Sequence, residues 1–176
     1  MSTTRLVLNQ DTYEVVVREI VPAARRFLWL VTADLKDLHV ADQRGSFVPF
    51  LQVLAGRIDE GVEVRLIHAK EPGPRFRDDF DRFPQFVKGD RFDRILCPRM
   101  HMKCIIADGR LAYIGSANLT GAGIGAKSDH RRNFEAGIVT DERGLIRGLM
   151  DFLDSFYLGD NCLKCQRRDV CPDPVA

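Results

Sequence analysis

The sequence predicts an α/β layered fold, and three observations carry that prediction. Segments with helical hydrophobic spacing alternate with short apolar runs of strand length along most of the 176 residues. Gly, Pro and Asp-Gly steps punctuate the boundaries between them. No internal repeat or low-complexity tract interrupts the alternation, so the length suits one domain with a substantial core. That domain spans 1–158, followed by a Cys-rich tail over 159–176.

The elements follow in order. Tyr13, Val16, Val17, Ile20 and Val21 recur at helical spacing and predict a helix over 10–26. Residues 27–33 are an apolar run that reads as a buried strand, with Trp29 in the core rather than serving as a base-stacking platform. Phe47, Phe50, Leu51, Leu54 and Ile58 share one side of a second helix over 45–60, with Pro49 in its first turn. Residues 62–68 form a strand and 71–74 a loop; 75–87, rich in Phe and Arg, is a short helix or irregular segment. A strand over 91–97 comes next. Residues 100–107 are apolar and β-rich, Asp108-Gly109 signals a turn, and 111–114 are apolar again, so this stretch reads strand, turn, strand. A strand over 134–140 and a helix over 142–157 complete the domain.

The chemistry concentrates in HMKCIIADGRLAYIGSAN, residues 101–118: His-x-Lys, four residues, Asp, six residues, Gly-Ser-x-Asn. Alternation along a strand puts His101 and Lys103 on one face and Met102 and Cys104 on the other. An imidazole beside an ammonium suits a phosphoryl group: the ring attacks phosphorus and the cation neutralises oxygens that gain charge. Gly115 lets the backbone approach a ligand. Ser116 and Asn118 can donate to the same phosphate, and a helical turn over 119–125 would offer free N–H groups to an anion. His68-Ala69-Lys70 repeats the His-x-Lys pair but lacks the Asp and Gly-Ser-x-Asn that follow, and it is read as non-catalytic.

This spacing resembles the HKD signature of the phospholipase D superfamily, with every position filled and the similarity running over roughly 100–140. The resemblance implies a mixed β-sheet with helices on both faces, an α/β/α sandwich. It implies phosphodiester cleavage through a phosphohistidine at His101, with no metal for catalysis. Asn133-Phe134-Glu135 is similar to the Asn-x-Glu strand of the superfamily's small nucleases. That similarity makes Glu135 the acceptor for the His101 ring and puts Asn133 at the substrate. Asp108 carries over as an architectural residue or part of a histidine network. The chemistry needs two histidines and the chain has one motif, which implies a homodimer whose two-fold axis passes near the paired His101 residues. Short single-motif members are commonly nucleases, so DNA or RNA is the expected substrate. A phospholipid hydrolase or transphosphatidylase is the alternative within enzymes. A nucleic-acid-binding or regulatory module that grips phosphate without turnover is the alternative outside them.

Composition bounds these readings. Apolar residues at 45% and charged residues at 29% describe an ordinary soluble globular chain. A net charge of +1 excludes a uniformly basic nucleic-acid binder. Basic residues instead cluster at Arg75, Arg77, Arg82, Lys88, Arg91, Arg94 and Arg99, and at Lys127, His130, Arg131 and Arg132. Both clusters flank the motif, and such a rim attracts phosphate-rich polymers; Lys127, Arg131 and Arg132 are the expected substrate contacts. Asp78, Asp79, Asp81, Asp90 and Asp93 interleave with the first cluster. No apolar stretch reaches membrane-spanning length and the N-terminus has no signal-peptide core, so a cytoplasmic protein without a membrane partner is expected. His39 and His130 read as surface residues.

Three of the five cysteines form Cys162-x₂-Cys165-x₅-Cys171-Pro. Closely spaced thiolates on a turn suit a metal, and an intracellular protein rarely spends them on structural disulfides. A fourth ligand is needed: Cys97, just before the motif, or else Cys104. The pattern resembles the C-terminal half of the iron–sulfur clasp in helicase-linked and CRISPR-associated nucleases. That implies a structural [4Fe–4S] cluster pinning the tail to the core, and a larger nuclease or defence complex as a partner. Zinc satisfies four thiolates equally well on chemistry alone.

Overall fold

A computed structural model describes residues 2–42 and 44–175, with Met1, Gln43 and Ala176 outside the description. The strands in chain order are β1 (Thr4–Leu8), β2 (Phe27–Thr32), β3 (His39–Ala41), β4 (Phe47–Pro49), β5 (Glu63–His68), β6 (Phe92–Leu96), β7 (Cys104–Ala107), β8 (Leu111–Gly115) and β9 (Ala136–Thr140). Seven of them make one mixed sheet in the order β1-β9-β8-β7-β2-β5-β6. The β2, β5 and β6 strands are parallel to one another, while β7, β8, β9 and β1 alternate in direction. The β3 and β4 strands pair as a separate antiparallel ribbon.

Period-two alternation feeds two apolar layers, one on each face. Leu28 and Leu30 of β2, Val64 and Leu66 of β5, and Ile105 and Ala107 of β7 point into one layer. Trp29, Val31, Ile67, Cys104 and Ile106 point into the other. The first layer is covered by a helical stretch over 11–23, by α3 (Phe50–Asp59) and by the short α4 (Pro74–Asp81) and α5 (Pro84–Val87). The second is covered by α6 (Arg143–Tyr157), through Ile146 and Leu153. The predicted mixed sheet with helices on both faces is therefore the observed architecture.

The stretch over 11–23 runs α1 (Asp11–Tyr13), a π-helical segment Glu14–Ile20, then α2 (Val21–Ala23). Val21 N–H donates to the Val16 carbonyl, five residues back. Pro22 follows directly; it has no N–H and its ring crowds the preceding turn, which a widened register relieves.

Several boundaries differ from the sequence expectation. The helix expected from residue 45 starts only at Phe50, because residues 47–49 pair with 39–41 and Pro49 is extended (ψ 136°). The β1 strand was not foreseen: only Val7 of its five residues is buried, so no alternation shows. The strand expected from residue 100 begins at Cys104, leaving His101, Met102 and Lys103 outside the ladder. Residues 121–125 are consecutive turns rather than a helix, so no helix N-terminus is available there for an anion. The Phe-rich 75–87 segment is packing: Phe80 stacks on Phe86 and both meet Phe92 edge-on, with centroids 4.8–5.7 Å apart.

Arg65 on β5 fastens α6 to the sheet. Its guanidinium lies 4.4 Å from the Trp29 ring centroid and 3.7 Å from that of Tyr157, and Nη1 donates to Asp154 at 3.1 Å. Among the described residues no helix is long and apolar enough to cross a membrane.

Candidate active site

The site gathers where β2, β5 and β6 all end and β7 begins. At this edge the sheet changes from parallel to antiparallel, and the loops part to leave an open cleft. Asp34, Lys70, Arg99, His101, Asn118 and Arg167 line it.

His101 is exposed, in the extended segment before β7. Lys103 Nζ donates to the His101 carbonyl at 2.7 Å and lies 3.3 Å from Nδ1. An ammonium has no lone pair, so in that pairing Nδ1 is the acceptor.

Asn118 is half committed. Its Oδ1 accepts from the backbone N–H groups of Ala33 (3.1 Å) and Asp34 (3.0 Å) and lies 3.2 Å from Thr32 Oγ1. Backbone N–H groups can only donate, which fixes Oδ1 as the inner atom and leaves the Nδ2 amide protons for the cleft. Asn118 thus ties the end of β2 to the motif and keeps two donors for a ligand.

Ser116 is fully committed. Its one hydroxyl proton goes to Glu135 Oε2, and its oxygen accepts from Ala136 N–H at 3.1 Å. The expected donation to phosphate is therefore already spent inside the protein. Glu135 also accepts from Asn133 Nδ2 at 3.1 Å, and its backbone N–H donates to Asn9 Oδ1 at 3.1 Å. Among the described residues no hydrogen bond joins Glu135 to His101; the carboxylate is held by Ser116 and Asn133, and the imidazole by Lys103. Gly115 also has a different reason from the one expected. A Cβ there would sit 2.2 Å from Tyr113 Oη, and one on its register partner Gly137 would sit 2.6 Å from the same ring. Both glycines make room for the buried Tyr113 rather than for a ligand.

Asp108 occupies the far end of β7 from His101, at φ +53°. Its carboxylate accepts from the backbone N–H groups of Arg25 (2.9 Å), Arg26 (2.8 Å) and Phe27 (2.9 Å), fixing the entry into β2. Burial alone would raise its pKa, but these N–H groups of Phe27, Arg26 and Arg25 outweigh it and hold the carboxyl below its ordinary range. A depressed folded pKa contributes stability above the unfolded value, and that contribution fades as pH falls through the folded one. Asp108→Asn keeps one acceptor oxygen and tolerates the left-handed backbone. It should cost about 1–2 kcal/mol at neutral pH, lowered from a fully buried value by partial exposure. The gap to wild type should close towards acid pH in urea melts; a pH-independent gap would contradict the assignment.

The cations at the cleft differ from those expected. Lys127 and Arg131 are exposed, and Arg132 is paired with Asp129; none of the three lines the cleft. Of the first cluster only Arg99 does, while Arg82, Arg91 and Arg94 are bound to Asp79, the Gly61 carbonyl and Glu71. Lys70 and Arg167 are additions that sequence reasoning missed. Lys70 was visible only as part of the decoy His-x-Lys pair. That pair splits: His68 is fully buried, with Nδ1 on the Lys70 carbonyl at 2.7 Å and Nε2 accepting from Arg94 Nε at 2.8 Å. Burial, then the Arg94 charge, lowers its pKa to about 4, so it is a neutral structural residue. Asp34, the acid in the lining, pairs with Lys36 at 3.2 Å.

Behind the cleft wall lies a second cavity, whose lining includes Cys97, Cys162, Cys165 and Cys171. The tail reaches it through Leu96 N–H to Asp173 (3.2 Å), Arg167 to the Pro98 carbonyl (3.2 Å) and Arg99 to Cys165 Sγ (3.6 Å). Cys104 is elsewhere, buried under α6, where burial pushes its thiol up to about 12. Among the described residues no three cysteine sulfurs lie mutually within 4.8 Å; Asp37, His39 and Asp79 do. Of those three, Asp79 pairs with Arg82 at 2.8 Å, and His39 Nδ1 lies 3.1 Å from Asp37 Oδ1.

Residues 18–156 match the family described as "Cardiolipin synthase, PLD-like domain". The matched span ends before the Cys-rich tail. No curated protein matches the chain in sequence. Among solved structures, NucT from Helicobacter pylori superposes with a TM-score of 0.63 at 13% identity, covering 88% of this chain and 95% of its own. Nuc from Salmonella typhimurium, a phospholipase D family member, gives 0.63 at 15% identity over 88% and 93%. Phosphatidylserine synthase from Haemophilus influenzae Rd KW20 gives 0.62 at 12% identity over 89% of this chain but 39% of its own.

Proposed function

The chain belongs to the PLD-like domain family matched over residues 18–156, and from that membership we propose that it is a homodimeric nuclease cleaving DNA or RNA through a phosphohistidine at His101. One observation carries the reading. An exposed imidazole beside an ammonium faces a cleft walled by Lys70, Arg99, Arg167 and the free amide of Asn118. Three cations against one carboxylate, Asp34, in that wall suit a polyanion better than an acyl chain.

In the mechanism, an incoming phosphate draws Lys103 away from the imidazole. His101 attacks phosphorus and forms a phosphoramidate while His101 of the partner subunit protonates the leaving oxygen. That second histidine then deprotonates water, which attacks phosphorus and releases the first. Lys103 and the Asn118 amide hold the non-bridging oxygens as they gain charge. The Ser116–Glu135–Asn133 chain keeps the strand behind the site in place. A second copy would cover Phe134, which is 97% exposed between Asn133 and Glu135.

The test is cleavage of end-labelled single- and double-stranded DNA and RNA in excess EDTA, beside hydrolysis of phosphatidylglycerol and cardiolipin vesicles. Polymer cleavage without lipid turnover is the expected result. Lipid turnover alone would transfer the site to the phospholipid reading that the family description and the synthase neighbour suggest. Oligonucleotide binding without cleavage would leave a binding module.

Asn118→Asp separates the two jobs of that side chain. The carboxylate still accepts from Ala33 and Asp34, so the melting temperature should barely move. The donors facing the cleft become a repelling oxygen, and kcat/KM should fall about 10²-fold. A variant with normal turnover would remove Asn118 from the phosphate site.

A further inference from the structure

The two cavities share a wall. Pro98, Arg99 and Arg167 line both the His101 cleft and the cysteine cavity. Cys97 and three tail cysteines more than sixty residues on, Cys162, Cys165 and Cys171, converge on the second cavity, and the fifth is buried away from it. A single zinc ion holds its thiolates at about 2.3 Å, so its sulfurs crowd to within about 3.8 Å of each other. Among the described residues no three of these sulfurs lie mutually within 4.8 Å, so they do not have the close grouping of one bound zinc ion. A polynuclear core fits such a spacing better than one ion. A [4Fe–4S]²⁺ core with four thiolates would carry a net charge of about −2, and three arginines, Arg99, Arg167 and Arg168, line the cavity.

We propose that Cys97, Cys162, Cys165 and Cys171 hold an iron–sulfur cluster, and that this cluster positions Arg99 and Arg167 in the wall of the His101 cleft. The thiols bind as thiolates and release their protons to solvent. The cluster locks the tail against residues 96–99, and the two arginines then have their positions set on one side by the cluster and meet phosphate on the other. Phosphate affinity therefore depends on a group that takes no part in the chemistry. The positioning half rests on the reading of the cleft as a phosphodiester site; the cluster half does not.

The full chain would be purified without oxygen, reconstituted with equal amounts of ferrous and ferric iron and with sulfide, and desalted. About four iron atoms and four sulfides per chain, with a broad visible charge-transfer band, are expected. Cys97→Ser and Cys171→Ser should each lose most of the iron, and Cys104→Ala should keep it. Should Cys97→Ser fail to fold, Cys171→Ser in the tail tests the same point. Less than about one iron per chain, zinc as the sole metal after purification and reconstitution, or full iron in both serine variants would overturn the cluster. Fluorescence anisotropy with a fluorescein-labelled single-stranded oligodeoxynucleotide then reads the second half. Binding should weaken about tenfold in Cys171→Ser relative to the loaded wild type. Equal affinities would overturn the positioning role and leave the cluster standing. A loaded protein that ignores the oligonucleotide would sink the nucleic-acid reading and the positioning with it, while the iron count stands by itself.

Discussion

His101→Ala should lower phosphodiester cleavage by at least ~10⁴-fold, because one substitution removes two functions. In a dimer with a shared site, the same residue serves as nucleophile from one subunit and as general acid and base from the other. Fold and stability should be unaffected, since His101 is exposed and its ring is bound only to Lys103. The variant also tests the sharing. Wild type exchanged with an equal amount of His101→Ala forms active sites with both histidines intact in about one quarter of dimers. Activity per total wild-type chain should therefore fall by about half on mixing, and further as the variant is added in excess. Independent sites, each complete within one chain, would show no loss on mixing, and that result would rule out the shared mechanism.

Lys103→Met should be the next most damaging change, at ~10²–10³-fold in kcat. Methionine keeps the unbranched stem and removes the charge. In the free protein the ammonium is occupied by the His101 carbonyl at 2.7 Å and Nδ1 at 3.3 Å. It must leave both to reach a phosphate, which offsets part of what the contact contributes to binding, so most of its effect emerges as charge develops on the phosphoryl oxygens. Salt dependence of substrate binding should also flatten by about one phosphate contact. If only KM rises and kcat is unchanged, Lys103 binds ground state and transition state alike and is no catalytic residue.

Much of the fold was legible because both periodicities were strong. Alternation in β2, β5 and β7 showed as apolar runs, since both faces of those strands are buried. The β1 strand and the β3–β4 ribbon escaped notice because they lie where one face or both meet solvent, and three- or five-residue segments leave too little pattern. Within the site, residue types were legible and commitments were not. Ser116 reads as a donor in any sequence; only Glu135, nineteen residues on, shows where its proton goes. Gly115 reads as room for a ligand until Tyr113 fills the space. Cation identity carried the least information. Lys127, Arg131 and Arg132 form a conspicuous run outside the cleft, whereas Lys70 and Arg167 reach it from segments about a hundred residues apart through the ends of β5 and the tail. Proximity in the chain is a poor guide to convergence at the ends of parallel strands.

The clasp between Arg65, Trp29 and Tyr157 gives this molecule an intrinsic optical reporter. Trp29 is the one tryptophan in the chain and is 8% exposed. The Arg65 cation lies over its ring, and that cation is held in turn by the last turns of α6, the helix from which the tail departs. Loosening of α6 from the sheet would redden and brighten or dim that single emitter, while events in the opposite helical layer would pass unseen. Unfolding curves read by tryptophan fluorescence therefore describe one half of this protein, and coincidence with circular dichroism would mean that the two layers melt together.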